Sequence, residues 1–403
     1  MAVDVLMTEE LYQELEVHPF KVQVSQEIID EVSKRLAKTR FPDEVAMAGW
    51  DYGSSLTYMR ELVDYWRNKF NWKTQERLLN AFHHYKATVG ESTIHFVQEK
   101  GKGPSPLPLI ISHGWPDSFA GMLKLVPLLT DPSSFGGDPS DAFDVVIPSL
   151  PGYGFSDRPS KRGRLKVYET WSQLMTRVLG YKQYGAQGGD VGAGITSDLG
   201  GCCPDEVVGI HLHSDLALPD PLPDQSLLSG AEKKYLKRME EWEKEEGAYG
   251  HLQGTKPQTL AYGLNDSPVG LAAYIVEKFR AWSDCKGDLE RRFSKDELLT
   301  NVMIYWVTQT INSSMRGYYE YQHNPGAWRK GRVEVPTGVA MFSNDLVFPY
   351  PMPREMAERS YNIQHWTQMS TGGHFAAREE PLLLADDIRA FFRPLRAQLP
   401  TPR

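Results

Sequence analysis

The chain has 403 residues, 41% hydrophobic and 24% charged, with a formal net charge of −8. That length holds two or three structural units, the hydrophobic share is enough for a sizeable core, and no apolar run approaches the roughly 18 residues of a membrane helix. The negative balance argues against a nucleic-acid partner, and three cysteines (Cys202, Cys203, Cys285) make neither a disulfide framework nor a four-ligand zinc spacing.

The opening residues, MAVDVLMTEELYQEL, are acidic and lack the basic-then-apolar pattern of a signal peptide, so a reducing cytoplasm is expected. Ile28, Ile29, Val32 and Leu36 form one helical stripe, closed by Phe41-Pro42. Leu56, Met59, Leu62, Val63, Trp66 and Phe70 form a second, with Ser55 as its N-cap. The period then changes: His84–Val89 and Thr93–Glu99 read as paired strands around Gly90-Glu91. After a Gly/Pro-rich linker, Leu109-Ile110-Ile111 suits a buried parallel strand.

From there strands and helices alternate. Ser118–Leu129 reads as helix, Asp144–Ile147 as strand, Val167–Leu179 as helix and Tyr184–Gln187 as strand. A helix follows Asp190, and Val207–Leu212 is again a strand. Such alternation predicts a doubly wound parallel sheet. The pattern breaks at the proline-rich Leu218–Asp224, and Ser229–Glu246, Ser267–Trp282 and Lys295–Thr310 follow as helices. Strands resume at Gly338–Phe342 and Tyr361–Trp366, with a last helix over Glu380–Phe392 stopped by Pro394. A helical insert of this kind commonly covers the carboxyl ends of the strands.

Three loops follow predicted strands, where open α/β sheets bind ligands. The first is His113-Gly114-Trp115-Pro116. The second, Gly188-Gly189-Asp190-Val191-Gly192, has small residues flanking an Asp. It suits the sharp strand-to-helix turn that exposes a nucleophile, though in isolation its plainer reading is an N-capping aspartate. The third carries Gly372-Gly373-His374, and a lone His there is more often structural than catalytic. Asp345, within Asn344-Asp345-Leu346, is individually no more than a turn aspartate. Together they run nucleophile, acid, His, each past a strand, with the insert between the first two; joint chance agreement is small. His83-His84 and His211-x-His213 are pairs with no third ligand nearby in sequence, so packing is the better reading than metal binding.

With these motifs in place the chain resembles, over nearly its whole length, the epoxide hydrolases of the α/β-hydrolase fold, in particular the soluble microbial relatives of the microsomal-type branch. Pro19-Phe20 and Trp50-Asp51-Tyr52-Gly53 look like the branch's N-terminal meander, and His113–Pro116 like its oxyanion loop. Pro148–Ser156 looks like its P-x-x-P-G-[FY]-G-[FW]-S block, and Gln187–Gly192 like its elbow. Tyr249-Gly250-His251 and Ser313–Tyr318 look like its two lid-tyrosine segments. The resemblance implies a doubly wound, mostly parallel sheet split into 93–218 and 331–403, a helical lid over 219–330 and a helical meander over 1–92. It implies Asp190 as nucleophile, Asp345 and His374 as the relay activating water, and Tyr249 and Tyr318 as proton donors. Backbone N–H groups of Trp115 and Val191 would form the oxyanion hole, and His113, Gly114, Trp115 and Pro116 the pocket wall, with the Trp115–Pro116 bond cis. It implies a small-molecule epoxide and water as reactants, no cofactor or metal, and a possible homodimer; microsomal members have an N-terminal membrane anchor, and nothing before Pro19 here is expected to serve as one.

Two departures stand out. Many members carry an aromatic residue after the nucleophile where this chain has Val191, and mammalian members use Glu where it has Asp345. An Asp-nucleophile dehalogenase is the nearest rival, but its halide site commonly needs a Trp at the Val191 position. A catalytically silent binding protein is disfavoured by the intact Asp190, Asp345 and His374. Most of the 10 Trp, 19 Tyr and 16 Phe should pack the core, including Trp66, Trp171 and Trp306. The charged run Glu232–Glu246 reads as a solvated helix face.

Overall fold

The computed structural model describes residues 16–396, apart from 164, 214, 325–330, 343 and 346–350. The opening segment read above for its lack of a signal pattern, and Leu346 of the acid turn, lie outside the described residues.

The strands are β1 (Val17–Phe20), β2 (His84–Val89), β3 (Ser92–Glu99), β4 (Leu107–Ser112), β5 (Phe143–Pro148), β6 (Tyr184–Gly189), β7 (Val207–His213), β8 (Val333–Phe342) and β9 (Tyr361–Met369). They form one sheet in the order β1-β2-β3-β5-β4-β6-β7-β8-β9. From β5 onward every pairing is parallel, whereas β1, β2 and β3 add an antiparallel edge, with Val89 opposite Ser92 across the expected hairpin. The mostly parallel, doubly wound reading therefore holds, with a mixed edge. β1 escaped the pattern because it is four residues long and contains Pro19, which a strand tolerates at a sheet edge.

The helices are α1 (Gln26–Ala37), α2 (Leu56–Asn68), α3 (Trp72–Leu79), α4 (Leu125–Thr130), α5 (Val167–Gln173), α6 (Val191–Cys202), α7 (Gly230–Glu246), α8 (Ala248–Thr255), α9 (Pro257–Asp266), α10 (Pro268–Trp282), α11 (Lys295–Thr308), α12 (Ile311–His323), α13 (Arg354–Ser360), α14 (Ala376–Glu379) and α15 (Pro381–Arg396). On β7, Ile210 faces Gly200 of α6 while Gly209 faces Leu395 of α15. Consecutive strand residues point to opposite faces, so α6 and α15 cover the two sides of the sheet.

Several expectations change in detail. The single helix over Ser118–Leu129 is a 3₁₀ turn, Phe119–Met122, followed by α4. Pro127 has no N–H to extend a helix begun at Ser118, but its place in the first turn of α4 costs nothing. Pro394 does not stop the last helix, which runs to Arg396 with the proline inside it. Burying Leu395 and pairing Arg393 and Arg396 with Asp141 offset a break worth ~3 kcal/mol. Among the described residues, the insert between β7 and β8 holds six α-helices, α7 to α12, where periodicity gave three. α7 and α11 begin with capping boxes, Ser229/Glu232 and Ser294/Glu297, each worth ~1 kcal/mol.

The N-terminal helices pack on the insert. Tyr65 Oη donates to Asp296 of α11 at 3.1 Å, Ser54 Oγ donates to the Ala273 carbonyl of α10 at 2.7 Å, and Arg35 pairs with Asp266 at the end of α9. Among the described residues no helix is long and apolar enough to cross a membrane.

Candidate active site

The carboxyl ends of β4, β6, β7, β8 and β9 lie along one edge of the sheet, and the residues singled out above from the core leave it there. Asp190 sits between β6 and α6 at φ 54 and ψ −133, a conformation that costs a non-glycine residue ~1–3 kcal/mol and lifts its side chain above the sheet. It is not a capping aspartate, because its carboxylate takes no N–H from the first turn of α6. Instead Oδ1 accepts the Trp115 N–H at 2.7 Å. That approach requires glycine at 114, since a Cβ there would lie 2.1 Å from Asp190 Oδ1. The Trp115–Pro116 peptide bond is cis. Val191 follows directly as the first residue of α6 and is half-buried.

His113 does not present a free ring. Its Nε2 accepts the Leu150 N–H at 3.1 Å, tying the Trp115 loop to the Pro148–Ser156 block, and burial pushes the imidazole down to about 4. Pro116 turns its carbonyl to Asn301 of α11 at 2.8 Å and is not among the residues lining the cavity beside Asp190. His113, Gly114, Trp115, Asp190 and His374 do line it. Its volume of about 20 Å³ is room for one water molecule. A groove of about 940 Å³ between α1, the loop before α2 and the start of α10 contains none of these residues.

His374 comes from the loop after β9. Its Nε2 is 3.6 Å from Asp190 Oδ2, and its Nδ1 is 3.4 Å from Asp345 Oδ2 beyond β8. Burial opposes protonation of this ring, but the carboxylates of Asp345, Asp190 and Asp215 outweigh it and raise its pKa well above the ordinary histidine value. The insert holds the loop in place. His374 N–H donates to the Trp282 carbonyl at 3.0 Å. Glu379 accepts the N–H groups of Asp284, Gly373 and Phe375 at 2.8, 3.1 and 3.0 Å, and burial pushes its carboxyl up to about 7.

Tyr249 on α8 and Tyr318 on α12 arrive from the opposite side. The Tyr249 ring stacks on Trp115 at 5.3 Å with 7° between planes, and Tyr318 meets both rings edge-on at 6.1 Å. Burial, with Asp190 nearby, raises both phenols above their usual range. Tyr319, the next residue, is exposed and stacked on His323, so Tyr318 is the one turned inward. Thus Asp190, Trp115, His374, Asp345, Tyr249 and Tyr318 come together in one region.

Two neighbours went unnoticed in the sequence. Trp282, the last residue of α10, lies edge-on to Trp115 and His374 and 5.0 Å from Tyr249. Asp215, two residues past β7, accepts the Asp190 N–H on Oδ2 at 2.6 Å. An acid just beyond the strand that neighbours β6 was the available signal. Donor atoms of Asp190, Asp215 and His374 lie within 4.8 Å of one another, a set of metal-ligand type. The histidine pairs have protein partners instead: His83 with Glu99, His84 with His95, His211 with Asp387 and His213 with Gln187.

Known proteins resemble this chain in both sequence and fold. Residues 17–122 match the epoxide hydrolase N-terminal family and residues 108–381 the alpha/beta hydrolase fold. A protein of Stigmatella aurantiaca, an epoxide hydrolase in name, is 41% identical over 95% of this chain and 86% of its own length. Epoxide hydrolase 1 of Sus scrofa is 37% identical over 95% of this chain and 90% of its own. The crystal structure of juvenile hormone epoxide hydrolase from Bombyx mori superposes with a TM-score of 0.86 at 31% identity, covering 96% of this chain and 97% of that one. The chain belongs to the epoxide hydrolase family of the α/β-hydrolase fold.

Proposed function

We propose that this protein converts epoxides to vicinal diols in two covalent steps on Asp190. The observation that carries the reading is the meeting of an oxyanion-loop N–H and an imidazole at one carboxylate, with two half-buried tyrosines packed on the Trp115 ring of the same loop. In the first step an Asp190 oxygen attacks an epoxide carbon, the C–O bond breaks, and the departing oxygen takes a proton from Tyr249 or Tyr318. Their raised pKa keeps both phenols protonated until the strongly basic alkoxide forms. The product is a hydroxyalkyl ester.

In the second step His374 takes a proton from water through Nε2, and the water oxygen bonds to the ester carbon of Asp190. Asp345 orients the ring and stabilises the imidazolium. Charge develops on Oδ1, where the Trp115 N–H already points, with the Val191 N–H as second donor. Collapse releases the diol, whose oxygen takes the proton from His374, and the second water proton, left on the Asp190 carboxyl, passes through solvent to the tyrosine ionised in the first step. The helical segment 219–330 serves as lid, residues 1–92 brace it, and the two stretches 93–218 and 331–403 supply the core. A cytoplasmic homodimer belongs to the same reading, checked by cell fractionation and sedimentation velocity.

Single turnover of styrene oxide in ¹⁸O-water tests the covalent path. Label should enter Asp190, and the first-turnover diol should be unlabelled; a labelled first-turnover diol overturns the ester.

A further inference from the structure

We infer that Asp215 is a second positioning carboxylate for the hydrolytic step, sharing the Nδ1 side of His374 with Asp345 while bracing the nucleophile through the Asp190 N–H. The inference rests on the two-step reading above. β6 and β7 are parallel neighbours with Gly189 opposite His213, so the chain leaving each strand emerges beside the other. Asp190 and Asp215 therefore come from adjacent loops. One oxygen of Asp215, Oδ2, does both things: it accepts the Asp190 N–H at 2.6 Å and lies 4.0 Å from His374 Nδ1. Asp345 Oδ2 is 3.4 Å from the same nitrogen.

Both parts meet a need. Asp190 is held at positive φ, and such a backbone persists only where neighbours fix it. The imidazolium formed in the second step turns its Nδ1–H toward two carboxyl groups rather than one. The reaction also times the second contribution. In the free site, burial and the nearby carboxylates of Asp345 and Asp190 hold the Asp215 carboxyl well above the usual carboxylate range. Alkylation turns Asp190 into a neutral ester and removes one of those charges. That relief of repulsion comes at the stage where His374 takes the water proton.

The groups facing Asp215 are Asp190, Asp345, His374, Tyr235 of α7 and Tyr249 of α8. The test measures alkylation and ester hydrolysis separately, by quenched single turnover of styrene oxide, in wild type, D215N, D345N and the double variant. An amide at 215 keeps an oxygen for the Asp190 N–H and removes the charge. D215N should alkylate within about twofold of wild type and hydrolyse its ester about tenfold more slowly. The acid limb of its hydrolysis should move to lower pH, because fewer carboxylates hold the proton on His374. D215N should cost more in the D345N background than in wild type, since each carboxylate covers partly for the other. If D215N alkylates poorly, D215S, with a neutral acceptor of smaller size, supplies the same comparison. Unchanged ester hydrolysis and acid limb in the variant that alkylates, or effects that simply multiply, overturn the shared role. Failure of wild type to form any ester overturns instead the two-step reading.

Discussion

The two sides of the site are built by different forces. On the sheet side, Trp115, Asp190 and His374 are placed by main-chain hydrogen bonds: Trp115 N–H to Asp190, Asp190 N–H to Asp215, His374 N–H to Trp282. On the insert side, Tyr249 and Tyr318 stand on helices and are positioned by ring packing against Trp115, Trp282 and each other. An aromatic contact of this kind contributes ~0.5–1.5 kcal/mol and tolerates some sliding. A backbone hydrogen bond to a carboxylate fixes direction as well as distance. In the proposed mechanism the nucleophile and base therefore stand on the more rigid side, and the tyrosines on the more adaptable one.

The comparison predicts that breaking each side stops a different step. The largest effect should come from His374→Gln, which removes the base of the second step. Turnover should fall roughly 10⁴-fold, as for a lost triad member, while one equivalent of ester still forms and is seen by intact-protein mass spectrometry. A variant that folds normally and forms no ester would move His374 out of the second step. On the insert side, Tyr249→Phe and Tyr318→Phe should each slow alkylation about 10²-fold, the double variant should nearly stop it, and hydrolysis of preformed ester should be little changed. Wild-type alkylation in the double variant would remove the tyrosines from the mechanism.

The same division explains what could be read from the sequence. Asp190, Asp345 and His374 announce themselves because each lies just past a predicted strand, flanked by glycines or turn residues, in a telling order. The tyrosines do not. α8 contains Gly250 and Gly254 and α12 contains Gly317, and glycine lowers helix propensity by about 1 kcal/mol each, so periodicity passed over both helices. Tyr249 and Tyr318 were found only through resemblance to a family. Asp215 was missed for another reason. Its partners, Asp190 and His374, are brought to it by sheet order, and β7 shows its pairing with β6 only once the sheet is assembled.

Rigidity of the sheet side has its own test in Asp117, directly after Pro116. Its carboxylate accepts from Arg378 of α14 at 2.9 and 2.6 Å, and both residues are buried. Arg378→Met should cost ~3–5 kcal/mol in urea unfolding, because it leaves Asp117 buried without its cation. D117L/R378M, which removes both charges, should recover much of that loss. If the double variant is no more stable than the single, the pair is not what ties the loop to α14.

The smallest effect concerns a line of buried imidazoles that ends at the Trp115 loop. His84 Nε2 donates to the Leu79 carbonyl at 2.8 Å, His84 Nδ1 meets His95 Nε2 at 2.9 Å, and His95 Nδ1 meets Ser149 Oγ at 2.8 Å. Next to Ser149, the Leu150 N–H donates to His113. Each contact can be satisfied with all three rings neutral, and burial lowers the pKa of all three, that of His113 to about 4. Their folded values lie below the unfolded value of about 6.5, so the unfolded chain binds more protons in acid. Stability from these groups is full above pH ~6.5 and declines as pH falls below it, for His113 until about pH 4. Each ring contributes a slope of at most ~1.4 kcal/mol per pH unit. Urea unfolding between pH 7.5 and 5, above most carboxylate titrations, should show that loss, and His95→Asn should reduce its slope by about one proton. An unchanged slope would mean that His95 already carries its proton in the folded protein, and that the sheet side is held together by charge rather than by neutral hydrogen bonds.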